Sequence, residues 1–374
     1  MKYIKKEKRG NMKEKIKGLS IEEKIGQMLM IGLDIENPKA KIEEIITKYK
    51  IGGVLLYKKN YKSYEELIDL INYIKKKNEA NKIPLFIAID QEGGRVNRMP
   101  PEFKNIPAAA KLARCKDKKI VEKAGEITGK MLSKLGINFD FAPVLDIKRF
   151  EDKHPIGDRA FSEDKDVVAK CGISYMKALQ KNNVISTIKH FPGHGATEKD
   201  SHYILPVVKE NIDKLEQEDM MPFKRAIEQG ADSILVSHLK IKGVTEYPCS
   251  MSRKFITNIR KKYKYKGLIV TDDMRMKGVE ILYGKNKSIQ KAFYAGNDII
   301  VIKYGKNENI INKIIEEVKQ DKRKEARVNR SVKRILEAKE KYNCNNDEIE
   351  KQEEFVEKIN EQIESVKQIV DLNL

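Results

Sequence analysis

Eight short apolar runs, each separated from the next by a longer amphipathic stretch, constrain the fold of this chain more than any other feature. They are QMLMIGL (27–33), IGGVLLY (51–57), PLFIAID (84–90), INFDFAPVLDI (137–147), VISTIKH (184–190), SILVSHLKI (233–241), GLIVTDD (267–273) and DIIVIK (298–303). Near-continuous apolar strands are buried on both faces, as in parallel sheets. The segments between them, such as 64–80, 119–136 and 211–230, read as helices, and the last ends on the stop signal Gly230. Strands alternating with helices predict an α/β chain folded as a single (β/α)8 barrel. The competing fold, an open doubly wound sheet, usually carries a Gly-rich phosphate turn. Neither G-x-G-x-x-G nor a Walker A sequence occurs.

Three segments are expected: a basic leader over 1–18, the barrel over 19–342, and an amphipathic helix within 343–374. Ser20 followed by Glu23 has the pattern of a capping box opening the barrel's first helix. At the other end Phe355, Val356, Ile359, Ile363, Val366 and Val370 fall on one helical face. That stripe suits a helix packed on the barrel or a dimerisation element, so the expected state is monomer or homodimer. No apolar run reaches the roughly 18 residues of a membrane span. The leader lacks the apolar core of a signal peptide, and the four cysteines are far apart, so a cytoplasmic location is expected. A net charge of +19 raises the possibility of nucleic acid binding. The lysines, however, are spread along the chain beside glutamates, and neither a nucleic-acid nor a membrane partner is expected.

The C-terminal ends of barrel strands carry function, and polar residues fall there repeatedly. The third run ends in Asp90 and continues as QEGGRVNR; the fifth ends in Lys189 and His190; the sixth holds His238; the seventh ends in Asp272 and Asp273; HPIGDRAFS, with Asp158 and Arg159, follows the fourth. Alternation along a strand allows only one of Asp272 and Asp273 to face the barrel mouth, as nucleophile, base or metal ligand; both could instead cap the next helix. In DQEGGRVNR the glycines Gly93 and Gly94 permit a sharp turn and close approach to a ligand. Asp90 offers acceptors and Arg95 and Arg98 offer donor forks, which suits a polyhydroxylated ligand or an internal salt-bridge network.

Three of the five histidines, His190, His194 and His202, lie in KHFPGHGATEKDSH (189–202). Asp200, two residues before His202, is spaced to accept the imidazole Nδ1–H and raise the basicity of Nε2, giving a pair suited to proton transfer. A metal site using the three histidines, with Asp272, ranks second, because no compact ligand motif is present.

These segments together resemble glycoside hydrolase family 3, most closely its β-N-acetylglucosaminidase branch. KHFPGHGATEKDSH is similar to the family's K-H-F-P-G-H-G-x(4)-D-S-H loop, LIVTDDM to its nucleophile segment, DQEGGRVNR to its D-Q-E-G-G-R-V-x-R segment, GDRAFS to its G-x-R-S/A-F element and SVKRIL to its closing helix. The resemblance implies a retaining exo-glycosidase releasing terminal β-linked N-acetylglucosamine, with GlcNAc–MurNAc fragments of peptidoglycan as substrate and cell-wall recycling as its role. It implies Asp272 as nucleophile and an Asp200–His202 acid/base pair on a mobile loop. Asp90, Arg98, Arg159, Lys189 and His190 match sugar-binding positions. No cofactor and no metal are implied, and the partner is a small carbohydrate. The alternatives are a β-N-acetylglucosaminide phosphorylase or β-glucosidase on the same scaffold, then a metal-dependent hydrolase, then a catalytically silent sugar sensor.

Overall fold

The computed structural model describes residues 12–150, 154–197, 205–352 and 354–373. All eight apolar runs contain a strand: β1 (Leu29–Gly32), β2 (Gly53–Leu55), β3 (Phe86–Ile89), β4 (Phe139–Asp140), β5 (Ile185–Phe191), β6 (Ser233–Val236), β7 (Leu268–Thr271) and β8 (Ile300–Lys303). They form one parallel sheet in the order β8-β1-β2-β3-β4-β5-β6-β7. A bridge between Val270 and Ile299 brings its two edges together. The result is the (β/α)8 barrel expected from the alternation, with helices around the outside. Closure removes the sheet edges that an open parallel array would expose.

All the strands but β5 are shorter than the apolar runs. The run 137–147 supplies only the two residues of β4, and the chain then passes through Pro143, which has no N–H to give to a ladder. Val144 returns to make a single bridge with Lys189. The run 233–241 also divides. After β6, Lys240–Ile241 pairs in parallel with Val207–Val208 as a separate two-stranded sheet.

Helix Ile21–Gln27 opens the barrel on the expected capping box: Ser20 Oγ accepts the Glu23 N–H at 3.2 Å and Glu23 Oε2 accepts the Ser20 N–H at 2.8 Å. Part of the basic leader is built into the fold. Residues 12–17 form a helix with Ile16 buried, and Lys15 reaches Glu340 at 2.5 Å. Glu340 lies on helix Lys322–Lys341, which closes the barrel. From that helix Lys339 enters the base of the barrel, where its ammonium donates to Gln27 Oε1 at 2.7 Å and to the Gly52 carbonyl at 2.8 Å.

The C-terminal helix spans Phe355–Leu372, and Ile359, Ile363, Val366 and Val370 are buried. This stripe packs on helix Lys118–Lys134. Phe355 adds an aromatic cluster with Phe103 and Tyr64, ring centroids 6.0 and 6.4 Å away. Asn360 fixes the orientation, accepting the Lys104 N–H at 2.6 Å and donating to the Glu102 carbonyl at 2.8 Å. The apolar face is therefore used within the chain. Each of its four aliphatic side chains contributes on the order of 1.5–3 kcal/mol of transfer free energy. None of the described helices is long and apolar enough to cross a membrane.

Candidate active site

At the C-terminal rim the loop leaving β3 makes a tight turn at Gly93 and Gly94, with φ of 85° and 54°. The close approach made possible there is to the protein itself. A Cβ on Gly94 would stand 2.7 Å from that of Ala108, and the Gly94 N–H donates to the Ile106 carbonyl at 2.8 Å. This turn aims Glu92 inward. Its two oxygens take the Arg159 Nε and a terminal nitrogen of the same guanidinium, each at 2.7 Å. Lys189 Nζ lies 2.6 Å from Glu92 Oε1 and 2.7 Å from Asp90 Oδ1. Four side chains from the loops after β3 and β4 and from the end of β5 thus form one continuous network.

Its charges are mutually held. Burial would raise the Glu92 carboxyl, but Arg159 and Lys189 outweigh it and keep the group well below the usual carboxylate range. Burial likewise opposes the charge on Lys189, and Asp90 and Glu92 more than offset it. Two cations face two anions, so each charge is compensated where water is scarce. Of the three Lys189 N–H groups and five Arg159 N–H groups, the network, the Pro155 carbonyl and His190 Nε2 take all but one of each among the described residues.

His190 meets this network at Arg159 and is held by a third carboxylate. Its Nδ1 is 2.6 Å from Asp146 Oδ2, and its Nε2 lies 3.5 Å from an Arg159 nitrogen. Guanidinium can only donate, so Nε2 presents its lone pair and Nδ1 carries the proton to Asp146. Burial works against ionisation of Asp146, but His190 and then His194 hold it below the ordinary value. The same carboxylate accepts the His194 N–H at 2.6 Å. His194 therefore braces the start of the loop through its backbone, and its buried ring is pushed down to about 4 by desolvation and by His190. Simple alternation would send Lys189 and His190 to opposite faces. The β5–β6 ladder shifts register between Ile188 and Phe191, and such a bulge re-aims side chains. The Lys189–His190 and Phe191–Pro192 peptide bonds are cis.

Across the mouth, the two aspartates after β7 do different things. Asp273 is buried and serves the turn: its Oδ1 accepts the N–H of Arg275 at 2.9 Å and of Lys303 at 3.2 Å. Asp272 is partly exposed, and its Oδ1 accepts the Asp273 N–H at 2.9 Å. Tyr57, just beyond β2, reports how closely the acids converge. Burial, then Asp273, Asp90, Asp34 and Asp272, raise its phenol well above the ordinary value. Its ring lies against Gly32 at the end of β1, where a Cβ would stand 3.0 Å from the hydroxyl.

Not every candidate residue joins the network. Arg98 is fixed through its backbone, whose N–H donates to Gln91 Oε1 and whose carbonyl accepts from Tyr61, both at 2.8 Å. Its buried Nε has no hydrogen-bond partner among the described residues. Arg95 turns away to bind Asp158 at 3.0 Å and the carbonyls of His154, Pro155 and Ile156, tying two loops together. Asp200 and His202 lie outside the described residues. Among the described residues no group of three or more His, Cys, Asp or Glu side chains is arranged to hold a metal ion. Sequence reasoning had not singled out Glu92, Asp146 or Tyr57. Glu92 sits inside the quoted DQEGGRVNR segment, and Asp146 and Tyr57 lie at the ends of apolar runs, where a rim residue is to be sought.

Residues 20–338 match the model of the glycosyl hydrolase family 3 N-terminal domain. Beta-hexosaminidase A of Pseudoalteromonas piscicida is 34% identical over 283 residues, covering 70% of this chain and 47% of that protein. This chain thus spans about half the length of that relative. The beta-hexosaminidase of Hydrogenovibrio crunogenus is 30% identical over 294 residues, 75% of this chain and 81% of its own. Among solved structures, a glycoside hydrolase family 3 beta-N-acetylglucosaminidase from Paenibacillus sp. superposes with a TM-score of 0.87 at 27% identity, covering 94% of this chain and 69% of that one. M tuberculosis LpqI superposes with a TM-score of 0.76 at 27% identity, over 86% of this chain and 94% of its own.

Proposed function

The chain belongs to glycosyl hydrolase family 3, and on that premise we propose that it is a retaining exo-glycosidase that removes terminal β-linked N-acetylglucosamine. The observation that carries this reading is the joining of Asp90, Glu92, Arg159, Lys189 and His190 in one network at the strand ends, facing the Asp272 carboxylate across the mouth. Asp90, with one oxygen on Lys189, and the remaining N–H groups of Lys189 and Arg159 offer both acceptors and donors to the hydroxyls of one sugar ring. Groups held this firmly bind with little reorganisation.

In the first step an Asp272 oxygen attacks the anomeric carbon and the glycosidic C–O bond breaks, leaving a glycosyl ester. His202, oriented by Asp200, gives its proton to the departing oxygen. In the second step His202 takes a proton from water, which displaces Asp272 with a second inversion and so restores the β configuration. Retaining enzymes commonly use a second carboxylate for the proton. An imidazole in that place avoids a like charge beside the nucleophile. The substrate we propose is a GlcNAc–MurNAc fragment of peptidoglycan, which would set the enzyme in cell-wall recycling.

Product analysis on GlcNAc–MurNAc and on chitobiose, each with and without phosphate, tests the reading. Free N-acetylglucosamine of β configuration at first release is expected from GlcNAc–MurNAc in either buffer. A sugar phosphate formed faster than free sugar would replace hydrolysis with phosphorolysis. No release from either disaccharide would sink the specificity.

A further inference from the structure

His238 is completely buried two residues beyond β6, and the proposed chemistry makes no use of it. Its ring joins the loops after β6 and β7. Nε2 lies 3.0 Å from the Asp273 carbonyl oxygen, and Nδ1 lies 2.7 Å from Ser250 Oγ. A carbonyl can only accept, so Nε2 carries a proton; Nδ1 then accepts from the Ser250 hydroxyl. Ser250 is itself fully buried, and its carbonyl accepts from Asn297 Nδ2 at 2.8 Å, which brings in the segment leading to β8. A single chain of donors, Asn297 to Ser250 to His238 to Asp273, therefore ties together the two consecutive connections that follow β6 and β7.

This chain ends on the residue that orients the carboxylate beside it. The Asp273 N–H donates to Asp272 Oδ1 at 2.9 Å, while the Asp273 carbonyl is held by His238 and by the Met276 N–H at 3.0 Å. On the other side Asp273 Oδ1 is tied to the backbone of Lys303. Among the described residues the His238 ring reaches the turn from the β6 side, next to the backbone contact from the Asp272 N–H to the Val236 carbonyl at 3.2 Å. We propose that His238 is a positioning residue for Asp272: by fixing the Asp273 carbonyl it sets the N–H that aims the Asp272 carboxylate at the bound sugar.

This inference rests on the reading of Asp272 as nucleophile, and the test separates the two. His238→Leu, His238→Gln, Ser250→Ala and Asp272→Asn are assayed in the full chain with a chromogenic β-GlcNAc substrate, with turnover referred to folded protein by circular dichroism. The Gln side chain returns an amide N–H near the place of Nε2. A misplaced nucleophile loses turnover more than binding, so His238→Leu should lower kcat by about tenfold or more with KM within about threefold. His238→Gln should regain most of that loss. A histidine that only fills the core would lower the melting temperature and leave kcat per folded molecule unaltered, and that outcome overturns the proposal. So does a Gln variant as slow as the Leu variant. If His238→Leu yields no folded protein, Ser250→Ala carries the test: a fall in kcat of about threefold at constant KM supports the role, and an unchanged kcat defeats it. Asp272→Asn turning over at the parental rate removes the nucleophile reading itself. An inactive Asp272→Asn beside an unimpaired His238→Leu removes the positioning role alone.

Discussion

Glu92 grips Arg159 with both carboxylate oxygens, 2.7 Å on each side, while one of those oxygens also holds Lys189 at 2.6 Å. One anion thus bridges two cations in a place nearly closed to water. Replacing it leaves two buried positive charges with Asp90 and Asp146 to answer them, neither of which grips the guanidinium with both oxygens. Removing one partner of a buried ion pair costs on the order of 3–5 kcal/mol. Glu92→Gln should therefore lower unfolding stability by about that amount and raise KM for the sugar. Urea unfolding monitored by circular dichroism measures the first; a loss under about 1 kcal/mol would show that the network is not holding the rim together.

Acid should weaken the fold from two directions that share one sign. The His194 pKa drops from 6.5 to about 4 in the folded protein, so between those values the unfolded chain binds the extra proton. Stability then falls as pH falls through that window, by on the order of 3 kcal/mol at most. Glu92 and Asp146 are held below their ordinary values, so what they contribute is present above the unfolded carboxylate pKa and is lost as pH drops below it. Asp219 acts with the opposite sign, since burial raises it to about 6, so the net decline in melting temperature should be steepest under about pH 4.5. The His194 share is read by comparing the parent with His194→Gln, and equal pH slopes between 6.5 and 4 in the two would contradict the buried, uncharged state of His194.

The proposed chemistry predicts different failures at its two ends. Asp272→Asn should reduce release of a chromogenic aglycone by at least about a thousandfold. His202→Ala should slow poor leaving groups far more than good ones, since protonation matters most where the departing oxygen is basic. A Brønsted plot across a series of aryl β-GlcNAc substrates provides the measurement. Equal slowing across the series, where glycosylation limits the rate, would assign His202 another task.

Ile363 is fully buried beneath the C-terminal helix, on the flank rather than at the mouth of the barrel. Truncating it leaves a cavity between that helix and Lys118–Lys134, so Ile363→Ala should cost about 2–5 kcal/mol. Because Ile363 packs on the flank at Lys118–Lys134 and is not part of the network around Lys189, kcat and KM at 25 °C should stay within about twofold of the parent. A drop in kcat without a drop in stability would reverse the assignment of this helix as packing.

The barrel was legible because its period was: eight runs too short for helices recur between stretches with helical spacing, and few folds satisfy that pattern. Strand lengths were not legible. The run 137–147 reads as one long strand, whereas only Phe139–Asp140 is strand and the pairing with β5 beyond Pro143 is reduced to the Val144–Lys189 bridge. For that reason Asp146, which orients His190, looked like part of a wall. Asp90, Lys189 and His190 stood out as charged or basic groups at run ends and Arg159 as part of the loop after the fourth run, and the structure joins their side chains. Glu92 was passed over because a carboxylate serving two cations looks in sequence like any loop acid. Arg98 shows the converse: a residue can sit in a specific motif and still stand apart from the hydrogen-bonded cluster around Lys189.

The C-terminal helix also has a bearing on how the chain is made. Its apolar face covers helix Lys118–Lys134 and the aromatic pair Tyr64 and Phe103, all synthesised more than two hundred residues earlier. Until residues 355–372 emerge from the ribosome, that flank of a nearly complete barrel stays uncovered. Contacts so distant in sequence form late and leave adhesive surface exposed in the meantime. A message cut short before the codons of residues 355–372 would therefore produce a barrel with every rim residue present and a bare hydrophobic side, prone to aggregate rather than to act.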